Sequence, residues 1–289
     1  MSLFNLADTS YKTQVFYNTG YWVKPQGITM ISITCIGAGG AGGCPVVGPN
    51  GANSGSGGGA GGSGAISTTV VPAWAVTDTL YVYVASGGTG TAIANANGGP
   101  GESVGTFVRL VPRGVLNSVN QSANVCFANS GSGGVGVASG GAGGTIATGN
   151  NMVAGNTTGV CNFYAGVNGG NSGSPPATQQ WGTTVVTGGG GGGNVLTTTP
   201  YSGGTVSGNT FVPTVFGGSA STNINGQDGV FSLTPFYSTG GGGGATQIGL
   251  PGGNGGRGAI GSGGGGAGAG STRGRSGDGG NGLVIINCW

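Results

Sequence analysis

Residues 252–270 read GGNGGRGAIGSGGGGAGAG, and residues 55–64 read GSGGGAGGSG. In the longer stretch Gly252, Gly255, Gly258, Gly261 and Gly264 recur at every third position, and the run continues through Ala267 to Gly270. Gly55, Gly58, Gly61 and Gly64 repeat the spacing, and Gly274, Gly277 and Gly280 form a third short run. Three residues per turn is the period of the polyproline-II conformation, which makes no internal hydrogen bonds and leaves its backbone groups available to neighbours. Packed side by side, such glycine segments satisfy one another's N–H and C=O groups, and the absence of a Cβ permits the close approach. The spacing predicts extended threefold helices of the polyglycine-II type over 55–64 and 252–270, packed on one another.

A regular use of glycine is required on energetic grounds. The chain has 289 residues, of which 76 are glycine and 12 proline, together about 30%, the level at which an aperiodic chain is expected to stay disordered. Each glycine brings about 0.4–1 kcal/mol of extra unfolded-state freedom relative to alanine, so the total opposing order is tens of kcal/mol. Dense inter-segment hydrogen bonding is the available compensation. Collagen does not fit, because glycine falls short of one residue in three and prolines are few. Calcium-binding nonapeptides need an Asp in each repeat, and the tracts hold one, Asp278. A phosphate-cradling loop lacks its G-K-[ST] signature.

Outside the tracts the chain reads as strands. Residues 28–36, ITMISITCI, alternate Ile31, Ile33 and Cys35 on one face; residues 65–71, 80–85 and 106–111 are similarly β-prone, and residues 283–289, LVIINCW, form an apolar run that needs neighbours on both sides. The amino-terminal strands and this last one are expected to share a sheet, bringing the two ends of the chain together and leaving the glycine tracts to project as a separate layer. The domain reading is a short arm over residues 1–20 and a single glycine-rich domain over 21–289.

Charge and cysteine content narrow the function. Charged residues are 4% of the chain, against about 25% in an ordinary domain, and histidine is absent. The carboxylates, Asp8, Asp78, Glu102, Asp228 and Asp278, are far apart in sequence and are read as turn or surface residues. General acid–base and nucleophilic catalysis lack their usual groups, so no enzymatic activity and no cofactor are expected. Cysteines at 35, 44, 126, 161 and 288 make no C-x-x-C pair and have no companion histidines, so they are read as buried thiols rather than a metal site. A net charge of +2 with no basic cluster denser than Arg273-Gly274-Arg275 excludes nucleic acid as a partner. MSLFNLADTS at the start lacks the pattern of a secretory signal, and no apolar run reaches the length of a membrane span, so the expectation is assembly in a cytoplasm without membrane insertion.

Taken in order, the motifs resemble the glycine-rich domains of bacteriophage tail fibres and tail-tip adhesins. An aromatic, a Pro and a G-[IV]-T strand running into G-A-G-G is carried by Trp22, Pro25, Gly27, Ile28 and Thr29 with Gly37-Ala38-Gly39-Gly40. The next element is similar to Tyr81-Val82-Tyr83-Val84-Ala85 leading to Gly87-Gly88, a third to Gly101-Glu102-Ser103 with Phe107, and the closing strand to residues 280–286, GNGLVII. The resemblance spans roughly residues 20–289 and implies a small all-β sandwich formed by the chain ends, carrying stacked polyglycine-II helices and irregular loops that contact a host surface. The short stretch before the first motif points to a virion tip, head-fibre or decoration component.

Two readings follow for the glycine-poor insertions. In one, Trp181, Tyr201, Phe211, Phe216, Phe231, Phe236 and Tyr237 contact a receptor, a host surface glycan or an outer-membrane protein, through aromatic and neutral polar groups. In the other, the same rings seal the glycine layers or mediate contacts with other virion proteins or further copies of the chain, and the protein is a structural subunit of a capsid, tail or extracellular filament.

Overall fold

The computed structural model describes residues 12–45, 57–112, 124–136, 140–141, 160–171, 179–180, 185–193, 195–196, 199–222, 224–247 and 249–289. Among these the fold is all-β, with no α-helix and one short 3-10 turn at Ala73–Ala75.

Two antiparallel sheets carry the apolar residues. The first has the order β1 (Lys12–Phe16), β15 (Leu283–Cys288), β3 (Met30–Ile36), β4 (Ile66–Pro72), β8 (Val160–Tyr164). The second has the order β2 (Gly20–Val23), β5 (Thr79–Tyr83), β6 (Thr106–Arg109), β7 (Asn124–Ala128). Three small pairs complete the strands: β9 (Gln179–Gln180) with β12 (Val206–Ser207), β10 (Val195–Leu196) with β11 (Thr199–Pro200), and β13 (Phe231–Leu233) with β14 (Phe236–Ser238). Alternation sorts the side chains: Ile31, Ile33, Cys35, Val71, Val284, Ile286 and Cys288 from the first sheet share one buried cluster with Trp22, Leu80, Val82, Val108 and Cys126 from the second. The last strand lies between β1 and β3, pairing Leu283 with Ile36 and Cys288 with Ile31, so the chain ends do share a sheet. Residues 12–16, within the stretch read as an arm, form the edge strand of that sheet.

From one end of the sheets the glycine segments extend as a bundle whose donors are dealt out in threes. Gly58, Gly61 and Gly64 donate to the carbonyls of Ala267, Gly264 and Gly261; Gly59, Gly62 and Ala65 donate to Val135, Ser132 and Asn129; Ala60 and Ser63 donate to Gly170 and Val167, all at 2.8–3.0 Å. One segment thus bonds three others, each met at every third residue. Residues 37–44 behave alike: Gly37, Gly40 and Gly43 donate to Ala65, Gly62 and Gly59, Gly39 and Gly42 to Gly280 and Gly277, Ala41 and Cys44 to Gly99 and Ala96. This network satisfies the backbone groups that a segment without internal bonds leaves open.

The run 252–270 differs from the expected single tract. It folds back at residues 259–262, where Gly261 takes φ +68° and Ser262 N–H donates to Ala259 C=O at 2.9 Å. Gly265 and Gly268 then donate to Gly256 and Gly253, so the halves lie antiparallel. A left-handed residue is cheap only for glycine, and the every-third spacing masks the break because Gly261 occupies a phase position either way. The second half does pack on residues 57–65, through the bonds given above. Gly55 lies outside the described residues.

Candidate functional site

The glycine-poor segments expected to carry recognition are held by the bundle. Val206 and Val215 exchange two backbone hydrogen bonds, 2.9 and 3.0 Å, closing a hairpin with Phe211 near its tip. There Asn209 Oδ1 accepts from the N–H groups of Phe211 and Val212, an Asx-type turn that buries Val212 and leaves Phe211 78% exposed. Phe216, 57% exposed, is tied to Gln227: its N–H donates to Oε1 at 3.1 Å and its carbonyl accepts from Gln227 N–H at 3.0 Å. Phe231 is exposed, whereas Tyr201, Phe236 and Tyr237 are half-buried. Tyr201 is fixed by Thr246, which donates to its carbonyl from N–H and accepts from its N–H through Oγ1 at 2.7 Å. Trp181 lies outside the described residues. The rings of Phe211 and Phe216 stand mostly in water, whereas those of Tyr201, Phe236 and Tyr237 are partly covered.

Phe236 lines a groove on the first sheet. The β13–β14 hairpin lies over the outer face of the first sheet, where Leu233 and Phe236 pack against the buried cluster of Ile36, Ile66, Val186 and Leu283. Between hairpin and sheet remains a groove of about 330 Å³ lined by Thr34, Ile36, Ile66, Thr68, Tyr164, Val185, Phe236 and Ile285. Its polar groups are uncharged, and Thr34 and Thr68 hydroxyls bond each other across β3 and β4 at 3.1 Å. The lining residues of the sheet escaped sequence reasoning; their signal is the hydroxyl or aliphatic residue at each outward position of strands otherwise read only for their core face.

The few charged side chains are tied into the scaffold. Asn225 Oδ1 and Asp228 Oδ1 accept from the N–H groups of Asn254 and Arg257, and Asn254 Oδ1 accepts from Arg275 N–H, at 2.7–2.8 Å. Asp278 Oδ1 and Asn281 Oδ1 accept from Gly90 and Gly87 N–H at 2.7 and 2.8 Å. These side-chain carbonyls stand where the carbonyl of a further glycine segment would be, and the spacing of three residues in both pairs keeps them in step with the bundle. Arg275 and Arg257 both pair with Asp278, at 3.0 and 3.4 Å, around a small cleft of about 120 Å³. Asp78 pairs with Lys24 at 2.9 Å, and Glu102 accepts from Tyr83 Oη and from Ser86 N–H. Asp8 lies outside the described residues.

Cys35, Cys44, Cys126 and Cys288 are buried free thiols. Burial pushes Cys44 up to about 11 against a weaker opposing pull from Arg273. Among the described residues no group of three His, Cys, Asp or Glu side chains is placed to hold a metal ion, and no helix is long and apolar enough to cross a membrane.

The opposite end of the sheets, away from the glycine bundle, carries an open depression of about 540 Å³ among Val23, Lys24, Pro25, Ile28, Trp74 and Asp78, with Trp74 77% exposed on the 3-10 turn. Lys24 Nζ is anchored beneath it by the carbonyls of Ala73 and Val76 as well as by Asp78. No protein-family model matches the chain, and no curated protein matches it.

Proposed function

We infer that this chain is a non-enzymatic bacteriophage virion protein, a fibre, tip or decoration component, in which a small β-sandwich carries packed polyglycine-II helices and loops that contact a host surface. The observation that carries the architecture is the dealing of backbone donors to three neighbours at a three-residue step, because an extended threefold segment presents its N–H groups in three directions. The recognition reading rests on Phe211 and Phe216, held out in water by turns that the bundle braces. Rings on a rigid support lose little freedom on binding, and neutral hydroxyl and amide groups nearby suit a glycan or an uncharged protein loop.

A structural role without receptor binding is supported by a separate observation, the exposed Trp74 and the depression beside it at the other end of the molecule. In the combined reading that end mounts the protein on other virion proteins. The test compares particles assembled with the F211A/F216A double variant and with Trp74→Ala. Loss of host attachment in the first, with normal incorporation, supports the adhesin; loss of incorporation in the second with unimpaired attachment by the first leaves the structural role alone. Absence of the protein from purified particles, measured by mass spectrometry, removes both.

A further inference from the structure

The recognition and mounting surfaces leave unused the pair of thiols at the centre of the sheet core. Cys35 sits on β3 in the first sheet and Cys126 on β7 in the second, and both are fully buried. Cys126 Sγ reaches across the core to the backbone of the first sheet, 3.3 Å from the carbonyl oxygen of Ser67 and 3.6 Å from that of Ile33. Ser67 is the residue paired with Cys35 on the adjoining strand, and Ile33 precedes Cys35 by two residues on its own strand and points to the same face. The thiol of Cys126 therefore lands in the row occupied by Cys35. The position matters for the rest of the molecule. Cys35 comes two residues before Gly37, where the glycine bundle begins, and Cys126 three residues before Asn129, whose carbonyl accepts from Ala65 N–H in that bundle.

We propose that Cys35 and Cys126 form an intramolecular cross-link site, reduced while the chain folds and oxidised to a disulfide once it meets a peroxide-containing aerobic medium, stapling the two sheets where they carry the glycine bundle. The oxidant is hydrogen peroxide, small and uncharged enough to enter a core that larger disulfide reagents cannot. Burial raises both thiols; on Cys35 it prevails and holds the group well above the ordinary thiol range, while on Cys126 hydrogen bonds from Cys35, Thr69 and Ser67 outweigh it and leave the group lowered. Cys126, whose sulfur lies against the row that holds Cys35, reacts first. Its sulfur attacks one peroxide oxygen, breaking the O–O bond, and the sulfenic acid and one water result. The Cys35 sulfur then attacks the sulfenic sulfur, the S–O bond breaks, and a second water leaves with the Cys35 proton. Two thiols lose two protons and two electrons, and one peroxide becomes two waters.

The chemistry does not depend on the virion reading; only the setting in which the oxidation takes place does. The test uses the full chain purified under reductant, then exposed to dilute hydrogen peroxide, quenched, unfolded and alkylated. Peptide mapping should find a disulfide between Cys35 and Cys126, the intact mass lower by two hydrogen atoms, and two of the five cysteines lost to alkylation. Closing a loop of about 90 residues should raise the melting temperature by on the order of 5–10 °C, reversibly with reductant. Cys126→Ala should gain neither the mass change nor the melting shift. Mapping on the unmodified chain does not depend on that variant folding. Retention of five alkylatable thiols after oxidation, or a disulfide that leaves out either residue, overturns the proposal, whatever becomes of attachment and incorporation by the particle.

Discussion

Gly61→Ala adds a single methyl group at a point where two glycine segments of the bundle are tightly closed on each other. A Cβ built on Gly61 overlaps the carbonyl oxygen of Gly40 and lies 2.8 Å from that of Ala41. Both contacts are backbone, so no side chain can rotate away, and the segments over 37–44 and 57–65 must separate. The separation stretches three bonds around the site: Gly61 N–H to Gly264, Gly40 N–H to Gly62 and Gly264 N–H to Gly40, each 2.9 Å. Leaving buried amide groups unmatched costs about 1–3 kcal/mol each, so partial loss of the three gives roughly 3–6 kcal/mol, a large fraction of a typical domain stability. At roughly 2 °C per kcal/mol for a chain of this size, the melting temperature should fall by about 6–12 °C. Gly20→Ala is the matched control: its Cβ meets nothing closer than the Phe16 ring at 3.9 Å, and the reduced unfolded-state freedom should leave stability unchanged or raised by about 0.4–1 kcal/mol. Melting by circular dichroism, with amide exchange at Gly61, Gly40 and Gly264, reads both. Equal melting temperatures for the two variants would falsify the close-packed account of the glycine segments.

Three other expectations bear on different features. The Cys44 thiol, raised to about 11 by burial, has a folded value above its unfolded one, so its contribution is complete below the ordinary thiol range and is lost as pH rises through about 11; melting at pH 7, 9 and 10.5 should show a decline that Cys44→Ala lessens. Asn254→Ala removes the acceptor for Arg275 N–H at the bundle edge and should cost about 1 kcal/mol by denaturant titration, whereas Asn254→Asp should retain most of it. Dialysis against a chelator should leave the melting temperature unchanged, and a shift of several degrees would reveal a structural metal.

How far the fold was legible depends on where side chains do the specifying. Residues 28–36, 65–71 and 283–289 announced their strands because Ile31, Ile33 and Ile286 alternate with outward residues, and their joint sheet followed from an apolar last strand that needed two neighbours. Residues 124–128, NVCFA, gave too short a pattern to be read, although all five are buried. In the tracts the three-residue step was visible, but the partners were not: Gly58 and Gly61 contact segments that differ from the alternatives by almost no side chain. The fold-back at Gly261 was hidden for the same reason. At the candidate surface, the aromatic composition of residues 201–237 was legible, but the groove that Phe236 lines was not, because the rest of its lining comes from outward residues of strands distant in sequence.

The backbone-only contacts of the glycine bundle have a consequence for how such a protein can change. Segments are held by N–H and C=O groups that every residue possesses, and the sole demand at most contact positions is the absence of a side chain. The connecting turns, by contrast, touch the bundle at a few points: the Phe211 turn at Val206 and Val215, with Val212 buried, and the Phe216 segment at Gly217, Gly218, Ile224, Gly226 and Gln227. Residues at the exposed tips of those turns, such as Phe211 and Phe216, can be exchanged without asking a buried group to repack. Tolerance and intolerance to mutation are therefore divided along the chain, and substitutions at the exposed tips leave the stability of the framework untouched.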